Sequence, residues 1–423
     1  MIVLTVGLML MVGLHQYWLY RHYRRFDAVH PYTLCDIFLL IFFGIGIWFS
    51  NLPPMSFLEQ VVFASSILIG VIALYAGYHL GFPRPLRIGS LPNELPPPPP
   101  KPFWLWCGTL LFIAITLWIV VNRMQNLGLS LWDYFALKPL MIYTQLKQAG
   151  DVALPAFLFF FFSVATILLF AQALEQRRWL RATALYILLV AGILAIATTR
   201  IPVLMFATLP IAFWHYRVRS LNKWFLTAGL VAAPIVMAML HIWRGRGVVN
   251  LDAILRETIV HEGYYYLWSR AMRGDLNYEY GLNYLYFVLT FIPRSLWADK
   301  PDTSFETRWT SVLQGSLFDS AGQVNVWTFT PWGEGLTQAG VLGIIVNLFL
   351  FGACMRFGIN YFENRSYLYL IKYIYSISSA TYLRTGFQAI AMITLLYVVS
   401  IFIFENLSKL RLNGSWGKRC AWH

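Results

Sequence analysis

Between Arg181 and Arg217 the chain reads ATALYILLVAGILAIATTRIPVLMFATLPIAFWHY (182–216), 35 residues whose only charge is Arg200. As a single helix this run would measure about 52 Å, while a bilayer's hydrocarbon core is about 30 Å thick. Its midpoint carries Thr198-Thr199-Arg200-Ile201-Pro202, which is turn chemistry. The stretch therefore reads as a hairpin of two short membrane spans with Arg200 at the tip. A second run repeats the pattern. Between Lys372 and Glu405 lie 32 residues whose only charge is Arg384, with Leu383-Arg384-Thr385-Gly386 at the midpoint.

Working outward, single-span runs occupy about 2–20, 34–50, 57–80, 103–122, 153–174, 224–243 and 334–355. With the two hairpins the count is eleven. Composition agrees: the 423 residues are 58% hydrophobic and 12% charged, against roughly 25% charged in soluble domains. Mean hydropathy is +0.59. Disorder, a collagen, a coiled coil and a soluble enzyme with one core are excluded. The expected class is an all-α polytopic membrane protein with one long extramembrane loop. Residues 1–243 hold the first eight spans, 244–331 form the loop, partly helical, and 332–423 hold the last three spans and a tail.

The basic residues orient the spans. The apolar run at Ile2 has no basic segment before it, and Arg21, Arg24 and Arg25 follow it. That order predicts a retained first helix with its N-terminus outside and, after eleven spans, a C-terminus inside. The inner segments then hold 19 of the 32 Lys and Arg, and the short outer loops hold five, Arg123, Lys138, Lys147, Arg200 and Arg384. The other eight lie in the long loop. This is the positive-inside pattern, so the net charge of +13 is a topology signal and not a nucleic-acid footprint. Pro96 to Pro100 read as a stiff inner spacer. Cys35, Cys107, Cys354 and Cys420 have no metal spacing, and no disulfide is expected.

The long loop carries seven Arg and one Lys against nine acidic residues. Arg suits bidentate contact with phosphate oxygens. Arg200, Arg384, Arg244 and Arg246 all fall on the outer side by this span count, so three parts of the chain are expected to bring arginines to one outer site. Each snorkelling to lipid phosphate on its own is the plainer reading. The loop's Tyr264, Tyr265, Tyr266, Trp268, Tyr278, Tyr280, Tyr284, Tyr286, Trp297 and Trp309 read first as an aromatic belt at the headgroups, and second as sugar-stacking surfaces. The apolar stretch 281–292 is too short to span and reads as re-entrant or interfacial. Carboxylates in and after the loop, with His261, supply acid/base candidates. No DxD, HExxH or Gly-rich phosphate loop is present, so no metal or cofactor is expected.

Two stretches carry a resemblance. Phe291-Ile292-Pro293-Arg294-Ser295-Leu296-Trp297-Ala298-Asp299-Lys300-Pro301 resembles the "PR-x-x-W-x-x-KP" signature of the Wzy-type oligosaccharide repeat-unit (O-antigen) polymerases. Thr330-Pro331-Trp332-Gly333-Glu334-Gly335, followed by Ala339-Gly340-Val341-Leu342-Gly343, resembles that family's "TP-x-GE … G-x-x-G" element. Thr199-Arg200 and Leu383-Arg384-Thr385-Gly386 resemble its two arginine elements, although the late one reads Arg-Thr-Gly where the family has Arg-Gly. The resemblance covers specific residues over roughly 291–343 and topology elsewhere.

It implies a GT-C-like membrane glycosyltransferase on the periplasmic face of a bacterial inner membrane, N-terminus periplasmic and C-terminus cytoplasmic. Such an enzyme transfers a growing glycan from its undecaprenyl diphosphate to the next lipid-linked repeat unit. Besides lipid-linked oligosaccharides and the bilayer, a chain-length regulator and a flippase are the expected partners. The leaving diphosphate would be held by Arg200, Arg244, Arg246, Arg294, Lys300 and Arg384 in place of a metal. The base for an inverting displacement would be Glu334, Glu262, His261 or Asp299. For Glu334 a structural role is the competing reading, as an ion-pair partner of Arg294 or Lys300 or as a helix cap. Two alternatives are a lipid-linked oligosaccharide flippase or transporter, and an O-antigen ligase-type transferase. A transporter predicts a polar pathway at mid-membrane and often two repeated halves, whereas here the charge is expected to gather on one face, with no clear mid-span acid in an apolar run and no visible similarity between halves.

Overall fold

A computed structural model describes residues 2–23, 30–50, 52–80, 99–136, 153–196, 200–219, 260–290, 292, 297, 299, 301, 304–316, 328–363 and 365–409. Among these residues the chain is helical, without strands. The first half contains α1 (Ile2–Tyr23), α2 (Pro31–Leu39), α3 (Phe57–Leu80), α4 (Pro102–Leu127), α5 (Leu131–Ala136), α6 (Ala153–Glu175), α7 (Trp179–Ile196), α8 (Arg200–Ala207) and α9 (Leu209–Phe213). A π turn, Leu40–Ile45, and a 3-10 turn, Gly46–Phe49, extend α2, and a second π turn, Trp214–Val218, extends α9. The second half contains α10 (Glu262–Arg273), α11 (Leu282–Leu289), α12 (Phe305–Gln314), α13 (Thr330–Glu363), α14 (Tyr369–Tyr382) and α15 (Phe387–Lys409).

Among the described residues, eight helical stretches are long and apolar enough to cross a membrane: Ile2–Arg21, Pro31–Trp48, Phe57–Leu80, Pro102–Leu127, Leu158–Glu175, Trp179–Ile196, Thr330–Glu363 and Phe387–Lys409. Leu10, Leu14, Leu110, Leu117 and Leu342 stand exposed on them, as a lipid solvent requires. The chain is therefore an all-α, multi-pass membrane protein. Of the remaining expected spans, 224–243 lies outside the described residues. Neither of the other two is a single unbroken helix of that length. Beyond α7 the helix breaks at Thr208, ahead of Pro210, whose missing N–H cannot continue the ladder. α14 has 14 residues. The expected turn at 383–386 does separate α14 from α15. Most of the proline spacer lies outside the described residues. Its end is tethered, with Lys101 N donating to Ser408 Oγ at 2.8 Å.

The core is built on α3 and the later part of α13, which lie side by side and run the same way. Leu348 sits against Gly70 near the middle of α3, and Arg356 Nη1 donates to Tyr78 O, 2.7 Å away, near its end. At that end a polar group lies among the apolar helices. His15 Nδ1 on α1 is 2.6 Å from Asp36 Oδ2 on α2, Gln16 Nε2 donates to the same oxygen at 2.5 Å, and Tyr75 OH donates to Oδ1 at 2.9 Å. The His15 and Tyr75 rings stack with centroids 4.1 Å apart. This buried carboxylate lies near one end of its apolar run, not at mid-span. Asp36 is 1% exposed within an apolar helix, and its neighbours supply the three donors that a buried carboxylate demands.

Candidate functional site

The opposite end of α3 meets the residues singled out from the sequence. Within α13 the backbone leaves the helical region at Ala339 and Gly340, where Gly340 has φ 62°. The chain reverses there, and the arm 330–338 runs back along 341–363. Asn347 Nδ2 donates to Pro331 O at 2.7 Å. Nearer the turn the two backbones touch, so that a Cβ on Gly343 would stand 2.0 Å from Gly335 O. The first arm is apolar enough to read as the start of a span, yet it is a half-length helix folded back on the real one. Its orphan C-terminal carbonyls are satisfied from the loop before α11. Glu279 N donates to Thr337 O at 2.8 Å and Tyr280 N to Gln338 O at 3.0 Å. Its buried Trp332 donates from Nε1 to Ile67 O on α3, 3.0 Å away.

The arm presents Glu334, which is 1% exposed. Asn283 Nδ2 on α11 donates to Oε1 at 2.5 Å, and Asn347 Nδ2 lies 3.4 Å from Oε2. The Phe387 backbone N–H also donates to Oε2. Phe387 opens α15, so the carboxylate occupies the N-terminal end of that helix, where unpaired N–H groups and the helix dipole favour negative charge. Gly386 makes room for it. Its φ is 145°, and a Cβ there would stand 2.6 Å from Glu334 Oε2. The cap predicted as one role for Glu334 is thus present, on α15 rather than on the helix that follows it in sequence.

A second group supports the first. Arg308 on α12 donates to Glu279 Oε1 at 2.5 Å and to Asn283 Oδ1 at 2.8 Å, and its guanidinium lies 4.1 Å from the centre of the Tyr286 ring. Trp309 Nε1 donates to Glu279 Oε1 (3.1 Å), and Gln338 Nε2 donates to Oε2 (2.8 Å). Gln388 Nε2 on α15 donates to Asn283 O and Oδ1, at 2.8 and 3.0 Å. With Arg308 and Gln388 both donating to Oδ1, the Asn283 amide has one orientation, Nδ2 toward Glu334. Charge-assisted contacts from α12 are thereby passed through one amide to Glu334 and on to the start of α15.

The other predicted residues are placed as follows. His261 and Glu262 open α10, which packs on the base of the arm through Gly263, close to Thr328 and Phe329. His261 is fully buried, and that burial pushes its imidazole down to about 4, so it is neutral at pH 7. Glu262 is half-buried, and Asp299 is exposed. Arg384 lies half-buried on the turn that Glu334 caps. Arg200 begins α8. Arg244, Arg246, Arg294 and Lys300 lie outside the described residues.

The aromatic belt is corrected in part. Tyr264, Tyr265, Trp268 and Trp309 are buried in the core, and Tyr264 OH is 2.6 Å from Ser66 Oγ. Tyr266, Tyr278, Tyr280 and Trp297 remain exposed. α11 covers most of the stretch read as re-entrant or interfacial, with Asn283 buried and Leu285 and Val288 exposed.

Sequence reasoning missed Asn283, Gln338, Asn347 and Gln388. Each is an amide within or beside an apolar run, and that misfit with its neighbours is the signal that marks it. Compared with known protein families, curated proteins and solved structures, the chain matches none.

Proposed function

We propose that this protein polymerises lipid-diphosphate-linked oligosaccharides on the outer face of a bacterial inner membrane. In this reading it has eleven spans, with its N-terminus periplasmic and its C-terminus cytoplasmic. One observation carries the proposal. The stretch 330–343 and the turn 383–386, which separately resemble elements of the O-antigen polymerases, meet through Glu334 and the start of α15. Arg384 therefore belongs to the same end of the molecule as α10, α11 and α12.

The chemistry follows from charge. As the glycosidic bond to the lipid diphosphate breaks, negative charge grows on phosphate oxygen. Arg384, with Arg200, Arg244, Arg246, Arg294 and Lys300, stabilises it. The attacking sugar hydroxyl gives its proton to one base. Of the four candidates Asp299 is the exposed one, and this reading assigns it that proton. His261 and Glu334 are buried.

A deletion in the source bacterium tests the reading. Accumulation of single lipid-linked repeat units is expected, with polymer restored by the intact gene and not by Asp299→Asn. Lipid-linked polymer without its final acceptor would point to a ligase. A trapped inner-leaflet precursor would point to a transporter. An impermeant thiol reagent reaching a cysteine at Leu313 from outside, and not one at Ser90, tests the orientation.

A further inference from the structure

Glu334 is the acid that draws attention as a base, yet its surroundings argue otherwise. A general base must turn an unshared lone pair toward the substrate hydroxyl. Both Glu334 oxygens already accept hydrogen bonds, and the side chain is 1% exposed. Oε1 accepts from Asn283, Oε2 accepts from the Phe387 N–H and faces Asn347, and the Gly386 backbone closes against Oε2. The donors come from three different elements, α11, the later part of α13 and α15. A side chain so placed fixes relative positions. What it fixes most directly is the backbone at 386–387, two residues beyond Arg384.

We propose that Glu334 is a positioning residue. Its carboxylate holds the 383–386 turn against α11 and so sets where Arg384 stands, without itself taking the substrate's proton. The inference rests on the reading of Arg384 as a diphosphate ligand, but its structural half stands apart from that reading.

The network supplies its own test, because the carboxylate can be moved. In Glu334→Gln one oxygen becomes an NH2 group, which meets another donor at either Asn283 or Phe387. In the double variant Glu334→Gln/Asn283→Asp the new amide donates to the carboxylate now carried by α11. The amide oxygen accepts from Phe387, and the relocated carboxylate still accepts from Arg308 and Gln388. The negative charge has crossed one hydrogen bond and every donor retains an acceptor.

In cells lacking the chromosomal copy, Glu334→Gln is expected to lower polymer roughly tenfold or more, and the double variant to restore it to within about threefold. The rate at which a thiol reagent labels Thr385→Cys should change in Glu334→Gln and return in the double variant. A double variant that regains normal labelling and makes no polymer overturns the proposal, because only a chemical role demands the carboxylate at 334. Gly386→Ala is the second arm. It keeps the carboxylate and pushes it from the turn, so labelling should change and polymer fall. Unchanged labelling and normal polymer in Gly386→Ala overturn the proposal whether or not the double variant folds. If the deletion itself shows no polymerisation defect, the polymerase reading fails, and the labelling series still decides the positioning role.

Discussion

Two carboxylates, Asp36 and Glu334, are each 1% exposed, and they answer the same physical demand differently. Asp36 is satisfied by side chains alone, an amide, an imidazole and a phenol from the neighbouring helices α1 and α3. Glu334 is satisfied by two amides and a backbone N–H, drawn from elements up to 53 residues away. The first arrangement ties helices together at one end of α3. The second holds a turn at the other end, where a helix N-terminus stands in for a cation. A buried acid in an apolar protein is thus not one kind of feature. What donates to it tells a staple from a support.

That contrast can be strained most severely at Asp36. Asp36→Ala leaves His15, Gln16 and Tyr75 without their acceptor, and breaking a buried pair on one side is expected to cost about 3–5 kcal/mol. A thermal melt of the protein in detergent reads it. Replacing both partners, as in His15→Leu/Asp36→Leu, should recover most of the loss. If it recovers none, the pair does more than join α1 to α2.

At the other centre the equivalent cut is smaller. Asn283→Ala strips acceptors from Arg308 and Gln388 and a donor from Glu334. Arg308 and Glu334 keep other partners, so about 1–3 kcal/mol is expected in the same melt. A cost above that of Asp36→Ala would reverse the ranking of staple over support.

His261 sharpens the comparison by acidity. Its imidazole is depressed in the folded protein to about 4 from an ordinary 6.5. The stability from burying it neutral is complete above about pH 6.5 and is lost as pH falls, because the unfolded chain takes up the proton first. The expected slope between those limits approaches about 1.4 kcal/mol per pH unit. Melts of His261→Phe should lack that slope, and an identical pH dependence in wild type and variant would remove His261 from the account.

The smallest effect belongs to a half-exposed pair. Arg217 Nη2 and Glu175 Oε1 are 2.7 Å apart with both side chains over a third exposed. Glu175→Gln should cost between about 0 and 1 kcal/mol in the melt and less at high salt. A loss as large as that of Asn283→Ala would mean the pair is shielded from solvent.

Much of the architecture was legible because hydropathy and charge report directly on a bilayer. The apolar runs around α1, α3, α4, α6 and α15 and the turn at 383–386 all follow from it. The fold-back at Ala339-Gly340 did not, since a half-length arm and a full span share one composition and only the backbone torsions distinguish them. Pro331 and Glu334 were legible as the start of a helix, but not which helix Glu334 would cap, because Phe387 is brought there by tertiary packing. The amides at 283, 338, 347 and 388 carry no charge and no spacing, so a reading built on charges passes over them. Asp36 was passed over for another reason. It falls near the end of its apolar run, where a charge is ordinarily assumed to reach water.

The folded-back arm also imposes a timetable. Trp332 closes on Ile67 across 265 residues, and Tyr264 on Ser66 across 198. At about 5–20 residues per second, α3 leaves the ribosome on the order of tens of seconds before either partner exists. The last quarter of the chain thus completes the packing of one of its first helices. A ribosome that stalls before Thr330 releases a protein whose earlier spans are whole but whose α3 still lacks the side chain meant to rest on it.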